Sequence, residues 1–251
     1  MQKEGSIFVY SDEMAAFDFG QDHPFKPERA SKTYELCNRY GVINHPWIKI
    51  LKPEPIEISL LHLFHDPRYL SLLEKASRGE VLLEMIERGI GTPDNPILSG
   101  IFEWSLKGAG GTRKAMDHIM SGNAIIAFNP LGGFHHAESG RAEGFCYIND
   151  IVIAIKDTRN KFPRVKVAYI DLDAHHGNGV QGAFYDDPGV LFIDIHETGK
   201  TLYPGSGLET ETGEGEGKGF TVNIPIEPGA DDEVFDLVFN EIVPPLVESF
   251  S

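Results

Sequence analysis

The chain has 251 residues, with 22 basic against 38 acidic side chains and a formal net charge of −16. That size suits a single α/β domain over 1–251, and that charge gives phosphate-driven nucleic-acid binding no support while favouring a cationic substrate. Two cysteines, Cys37 and Cys146, an N-terminus without a signal-peptide core and no apolar run near the ~18 residues of a membrane helix exclude a disulfide framework and a membrane partner, and point to a reducing, cytoplasmic setting.

In chain order, the apolar patterning predicts a strand over 7–10, a helix over 27–40 stopped by Gly41, and a helix over 67–76 opened by Asp66-Pro67. A helix over 100–120, a strand over 124–128 and a helix over 149–158 follow. The last part reads as strands over 165–172, 190–195 and 220–224, a Gly- and Glu-rich surface loop over 198–219, and a helix over 232–248. Alternating strands and helices of this kind predict an α/β fold with a central, mostly parallel sheet flanked by helices, whose chemistry gathers at the carboxyl ends of strands. The apolar stripes over 60–73 and 234–247 are expected in the core.

Two strand ends carry reactive side chains. The strand over 165–172 runs into Asp171-Leu172-Asp173-Ala174-His175-His176-Gly177-Asn178, and if extension persists Asp171, Asp173 and His175 share one face. Asp-x-His at a strand exit offers one oxygen and one nitrogen ligand, which suits a catalytic Zn²⁺ with a position open for water. The plainer alternative is that these residues cap the next helix and hydrogen-bond at the surface. After the strand over 124–128 comes Gly132-Gly133-Phe134-His135-His136, and adjacent imidazoles can serve as a general acid/base pair. A phosphate loop, a Gly-x-Ser-x-Gly elbow and a His-Glu-x-x-His helix are all absent. His23, His45, His62, His65 and His118 belong to no motif and read as ordinary residues, and Cys146 as a small buried hydrophobe.

The run from Phe134 through Gly144-Phe145-Cys146-Tyr147-Ile148-Asn149-Asp150, followed by Asp171 to Gly179, resembles the histone deacetylase superfamily, with its acetoin-utilisation and acetylpolyamine amidohydrolase members. Further matches are Pro27-Glu28-Arg29-Ala30, Asp94-Asn95-Pro96, Gly100-Ile101-Phe102, His196 with Tyr203-Pro204-Gly205-Ser206-Gly207, and Val222-Asn223-Ile224-Pro225. The resemblance implies the three-layer arginase/deacetylase fold. It makes Asp173 and His175 two of three ligands for zinc, with Fe²⁺ as the alternative metal. His135 and His136 become the acid/base pair, Asp171 the residue that polarises His135, and Asn178 the occupant of a position that is acidic in some members. A neutral Asn178 would leave His136 easier to hold uncharged. Gly144, Phe145 and Tyr203 would line the acyl-lysine tunnel, and Asp94 would hold the substrate backbone at its rim. Two monovalent cation sites, for K⁺, are implied at Asp171, Asp173, His175, Asp194 and Ile195, and at Phe184, Asp187, Val190 and Phe220.

In the family, a third ligand Asp and a carbonyl-polarising Tyr follow the helix that here spans 232–248, and neither is present before Ser251. The resemblance therefore implies a domain incomplete at its C-terminus, an exposed sheet edge, and a site completed by further chain, a second polypeptide or a neighbouring subunit. The expected activity is zinc-dependent hydrolysis of the acetamide of acetyl-lysine or an acetylpolyamine. The alternatives are a non-catalytic module that binds acetylated ligands or a partner, and a two-manganese ureohydrolase, which His176-Gly177-Asn178 after the Asp-x-His disfavours.

Overall fold

The first apolar run forms β1 (Ser6–Val9), which pairs in parallel with β2 (Ile48–Leu51) and β3 (Ile126–Phe128) in the order β2-β1-β3. The structure, a computed structural model, describes residues 5–250. Residues 1–4 and 251, on which the reading of the two chain ends falls, lie outside them. The chain divides into two units, Met1–Lys161 and Phe162–Ser251.

In the first unit the helices are α1 (Asp12–Ala15), α2 (Glu28–Arg39), α3 (Ile58–Leu61), α4 (Pro67–Ser77), α5 (Leu83–Glu87), α6 (Ile101–Met120) and α7 (Asp150–Lys161). α4 starts where Asp66-Pro67 predicts: the Asp66 carboxylate accepts the Tyr69 N–H at 2.8 Å, and Pro67 fills the first turn, where no N–H is needed. The stripe expected over 60–73 is core, with Leu61 of α3 and Leu70, Leu72 and Leu73 of α4 buried. α6 carries Gly110 where a Cβ would stand 1.8 Å from the Glu54 carbonyl oxygen, so only glycine lets the helix meet that segment. Arg113 of α6 pairs with Asp157 of α7 at 2.9 Å. β2 escapes the sequence pattern because it is a four-residue edge strand with Lys49 and Ile50 exposed, and α1, α3 and α5 are too short for a helical period to register.

The second unit contains β4 (Val167–Asp171), α8 (Asn178–Phe184), β5 (Val190–Glu197), β6 (Thr221–Ile226) and α9 (Asp232–Phe250), with parallel strands in the order β4-β5-β6. β5 is buried along nearly its whole length, as a central parallel strand covered on both faces must be. Its alternate residues Leu191, Ile193 and Ile195 form a cluster with Val243 and Phe250 of α9. The intervening Phe192, Asp194 and His196 occupy the opposite face. β6 runs two residues beyond its predicted end, through Pro225. An edge strand tolerates a proline that cannot donate to a ladder. The stripe over 234–247 is only partly core: Val243 is buried while Val234 and Leu237 are exposed. Among the described residues no helix is long and apolar enough to cross a membrane.

Candidate active site

In the first unit the loop after β3 presents both histidines. Gly133 turns the chain with φ at 93°, and His135 and His136 follow, buried, with ring centroids 4.0 Å apart. Gly144 lays its backbone against the second ring: a Cβ there would lie 2.3 Å from His136 Cδ2. Phe145 holds a φ of 71°, a strained value for a phenylalanine of the sort that clusters at functional sites. Its ring lies 4.9 Å from that of His23 and 6.4 Å from that of Phe25. His23 accepts the Phe25 N–H at Nδ1 (3.1 Å), which leaves Nε2 to donate to the Asp94 carbonyl at 3.1 Å. The structure thus gathers His135, His136, Gly144 and Phe145, and ties the exposed Asp94 to Phe145 through His23. The motif-free reading of His23 misses this link.

His65 also lies outside any motif, yet it braces the same region. Buried beneath the loop, it donates from Nδ1 to the Ser139 carbonyl at 3.2 Å and accepts the Asn149 N–H at Nε2, 3.0 Å away. A proton on Nε2 would face that N–H donor to donor. Burial accordingly pushes the ring down to about 4 from its ordinary 6.5. Because the unfolded chain takes up the proton first, stability is fully present above pH 6.5 and falls by on the order of 3 kcal/mol as pH drops through the window from 6.5 to about 4. Urea unfolding across that window is expected to show this slope, and His65→Gln to remove most of it; an unchanged slope in the variant would contradict the assignment.

In the second unit β4 ends at Asp171, and Asp173 and His175 sit in the bend beyond it. Extension does not persist, so the expected sharing of one strand face is replaced by a chain of hydrogen bonds. Asp171 Oδ2 accepts the Tyr169 hydroxyl at 2.6 Å, and its Oδ1 accepts the Asp173 N–H at 3.1 Å. Asp173 Oδ1 in turn accepts the His175 N–H at 2.8 Å and lies 2.9 Å from His175 Nδ1. A carboxylate oxygen and an imidazole nitrogen are thereby brought side by side. The Tyr203 ring stands 6.3 Å from that of His175. Asn178 opens α8, with Gly177 as its cap.

A buried polar network pins the loop that carries Tyr203. His176 accepts from the Ser206 hydroxyl at Nδ1 (2.8 Å) and donates from Nε2 to Gln181 Oε1 (2.9 Å), with burial holding its pKa down. Gln181 donates to Glu211 at 2.7 Å, and Glu211 accepts the Leu208 N–H at 3.0 Å. The stretch expected as a surface loop is therefore anchored inward, with Gly207, Gly213 and Gly217 buried. Asp194 takes the Gly177 N–H at 2.7 Å and pairs with His196 Nδ1 at 2.7 Å. Burial opposes charge on the His196 ring, but the Asp194 hydrogen bond outweighs it and raises the pKa. Of the residues expected at the second K⁺ site, Phe184, Asp187 and Val190 follow one turn, in which Asp187 N–H donates to Phe184 and Val190 N–H to Asp187. Phe220 gives its carbonyl to the Phe192 N–H of β5 at 2.8 Å, and Ile195 is buried on the opposite face of that strand from Asp194.

Residues 23–251 match the family model described as "Histone deacetylase domain". The chain is 40% identical over 231 residues to the acetoin utilization protein AcuC of Bacillus subtilis (strain 168), a match that covers 92% of this chain and 59% of that protein. It is 36% identical to histone deacetylase 9 of Arabidopsis thaliana, covering 99% of this chain and 58% of that one. Among solved structures, an HDAC homolog from Aquifex aeolicus superposes with a TM-score of 0.90 at 34% identity, covering 99% of this chain and 66% of that one. An HDAC homolog complexed with SAHA gives a TM-score of 0.89, also at 34% identity. The chain spans about three-fifths of the length of the first two relatives. On the family match, the level of identity and the shared α/β fold, the chain belongs to the histone deacetylase family.

Proposed function

We propose that the protein is a metal-dependent deacetylase that hydrolyses the acetamide of acetyl-lysine or of a related amine such as an acetylpolyamine. The observation that carries this reading is the donor pair of Asp173 and His175, 2.9 Å apart beyond the end of a parallel strand, in a chain of this family. Two ligands of a tetrahedral zinc ion at about 2.0–2.1 Å stand roughly 3.3 Å apart, so the pair fits as two of the three protein ligands of a catalytic zinc, with Fe²⁺ as the alternative. Among the described residues no group of three His, Cys, Asp or Glu side chains could hold a metal.

When bound, the ion polarises the acetyl carbonyl and acidifies the attacking water. His136 takes the proton of that water, and the His135–His136 pair returns a proton to the departing amine. Asp171 and Asn178 would complete the catalytic set in the roles that the family resemblance implies. Gly144, Phe145 and Tyr203 would contact the acyl chain, Asp94 would hold the substrate backbone, and K⁺ is the proposed occupant of the two monovalent cation sites. The charge of −16 attracts substrates that carry cationic groups, as lysine-rich peptides and acetylpolyamines both do. The test is to incubate the complete natural protein with acetyl-lysine peptides and acetylpolyamines and to measure acetate and free amine. Equal amounts of both are expected; binding of the acetylated ligand without acetate would support the non-catalytic module instead.

A further inference from the structure

Asn149 and Asp150 lie at the start of α7 and are wholly buried, each at 0% exposure. Three of their four side-chain polar atoms, both Asp150 oxygens and Asn149 Nδ2, reach back to the loop that carries the two histidines. Asp150 Oδ1 accepts the Phe134 N–H at 2.8 Å, and both its oxygens lie within hydrogen-bond reach of the Gly133 N–H, at 3.2 and 3.1 Å. Thr112 of α6 donates its hydroxyl to Asp150 Oδ2 at 2.5 Å. On the far side of the pair, Asn149 Nδ2 donates to the Ala137 carbonyl at 3.0 Å and reaches that of His135 at 3.5 Å, while its Oδ1 caps α7 by accepting the Val152 N–H at 3.1 Å. The chain is held immediately before His135 and immediately after His136.

We infer that Asn149 and Asp150 are positioning residues that fix where the His135 and His136 rings stand, an inference that rests on the acid/base role proposed for the pair. A buried carboxylate is costly, and stability alone is served as well by a packed apolar residue. What an apolar residue cannot do is hold two consecutive loop N–H groups at set positions. Gly132 is the steric counterpart of this clamp: a Cβ there would lie 2.7 Å from Asp150 Oδ2 and 2.5 Å from Thr112 Oγ1. The loop must approach the carboxylate with no side chain in the way. Neither residue needs to touch substrate, since each acts through the backbone that carries the imidazoles.

The test is Asp150→Asn in the complete natural protein, whose amide NH₂ would face the Gly133 and Phe134 N–H groups or leave them one acceptor short. Two readouts are taken: kcat and KM on an acetyl-lysine peptide, and the imidazole ¹⁵N resonances after histidine-selective labelling. A fall in kcat of about 100-fold is expected, the scale of a misplaced catalytic group, with KM and metal content unchanged. The His135 and His136 resonances should move while those of His45 and His62 stay. If Asp150→Asn does not fold, Thr112→Val removes the hydroxyl that donates to Asp150 Oδ2 and accepts from Asn129 Nδ2 at 2.9 Å, and should shift the same two resonances in the folded protein. Should the wild type hydrolyse no acetamide, the deacetylase reading fails, while movement of the two resonances still supports the positioning role. A folded variant with wild-type resonances for both histidines overturns it.

Discussion

Asp173→Asn is expected to lower metal affinity by well over about 100-fold and to take turnover with it, because even residues behind the ligands of such sites cost 10–100-fold. The substitution is chosen for what it preserves. The new amide would still offer a carbonyl oxygen to the His175 N–H, now bonded to Asp173 Oδ1 at 2.8 Å, so the bend beyond β4 keeps its shape. What is lost is the negative charge with which the carboxylate would hold a doubly charged ion. Metal content by elemental analysis, measured beside acetate release, gives the result, with unfolding by urea as the control for the fold. Wild-type metal content in a folded Asp173→Asn protein would remove Asp173 from the ligand set.

The second large effect is on proton transfer. His136→Ala is expected to lower kcat by about 10²–10⁴-fold while metal content stays at the wild-type level, since general acid/base catalysis contributes on that scale. The ring is buried and packed against the backbone of Gly144, so its removal leaves a space shaped like an imidazole. Added imidazole should enter that space and restore part of the rate, an outcome that loss of packing alone would not give. Unchanged hydrolysis by the variant would end the assignment of His136 as the base. The contrast between the two variants separates the roles: one loses metal and rate together, the other loses rate alone.

The sequence is most legible where chemistry and chain order coincide. The Asp66-Pro67 start of α4, the long helix α6 and the strands that end at Phe128 and Asp171 follow from period, capping and β-branched runs. Both clusters of candidate residues stand out because each is contiguous. What pattern cannot reveal is how Asp173 and His175 meet: a strand period puts them on one face, whereas the chain leaves the strand at Asp171 and a carboxylate hydrogen bond draws them together. His23 and His65 escape notice because their partners are remote, with Asp94 71 positions away and Ser139 74. No local spacing encodes such pairs. Asn149 and Asp150 read as the start of a helix, which they are, and only the folded chain reveals that their side chains also reach back across the turn that bears the two histidines.

Metal-dependent hydrolysis of acetamides is tested by acetate release by the complete natural protein before chelation, after chelation and after return of one equivalent of zinc. Acetate release is expected to stop when the metal is removed and to return with it. Hydrolysis at an undiminished rate in the chelated protein, or none in the zinc-loaded protein, would contradict it.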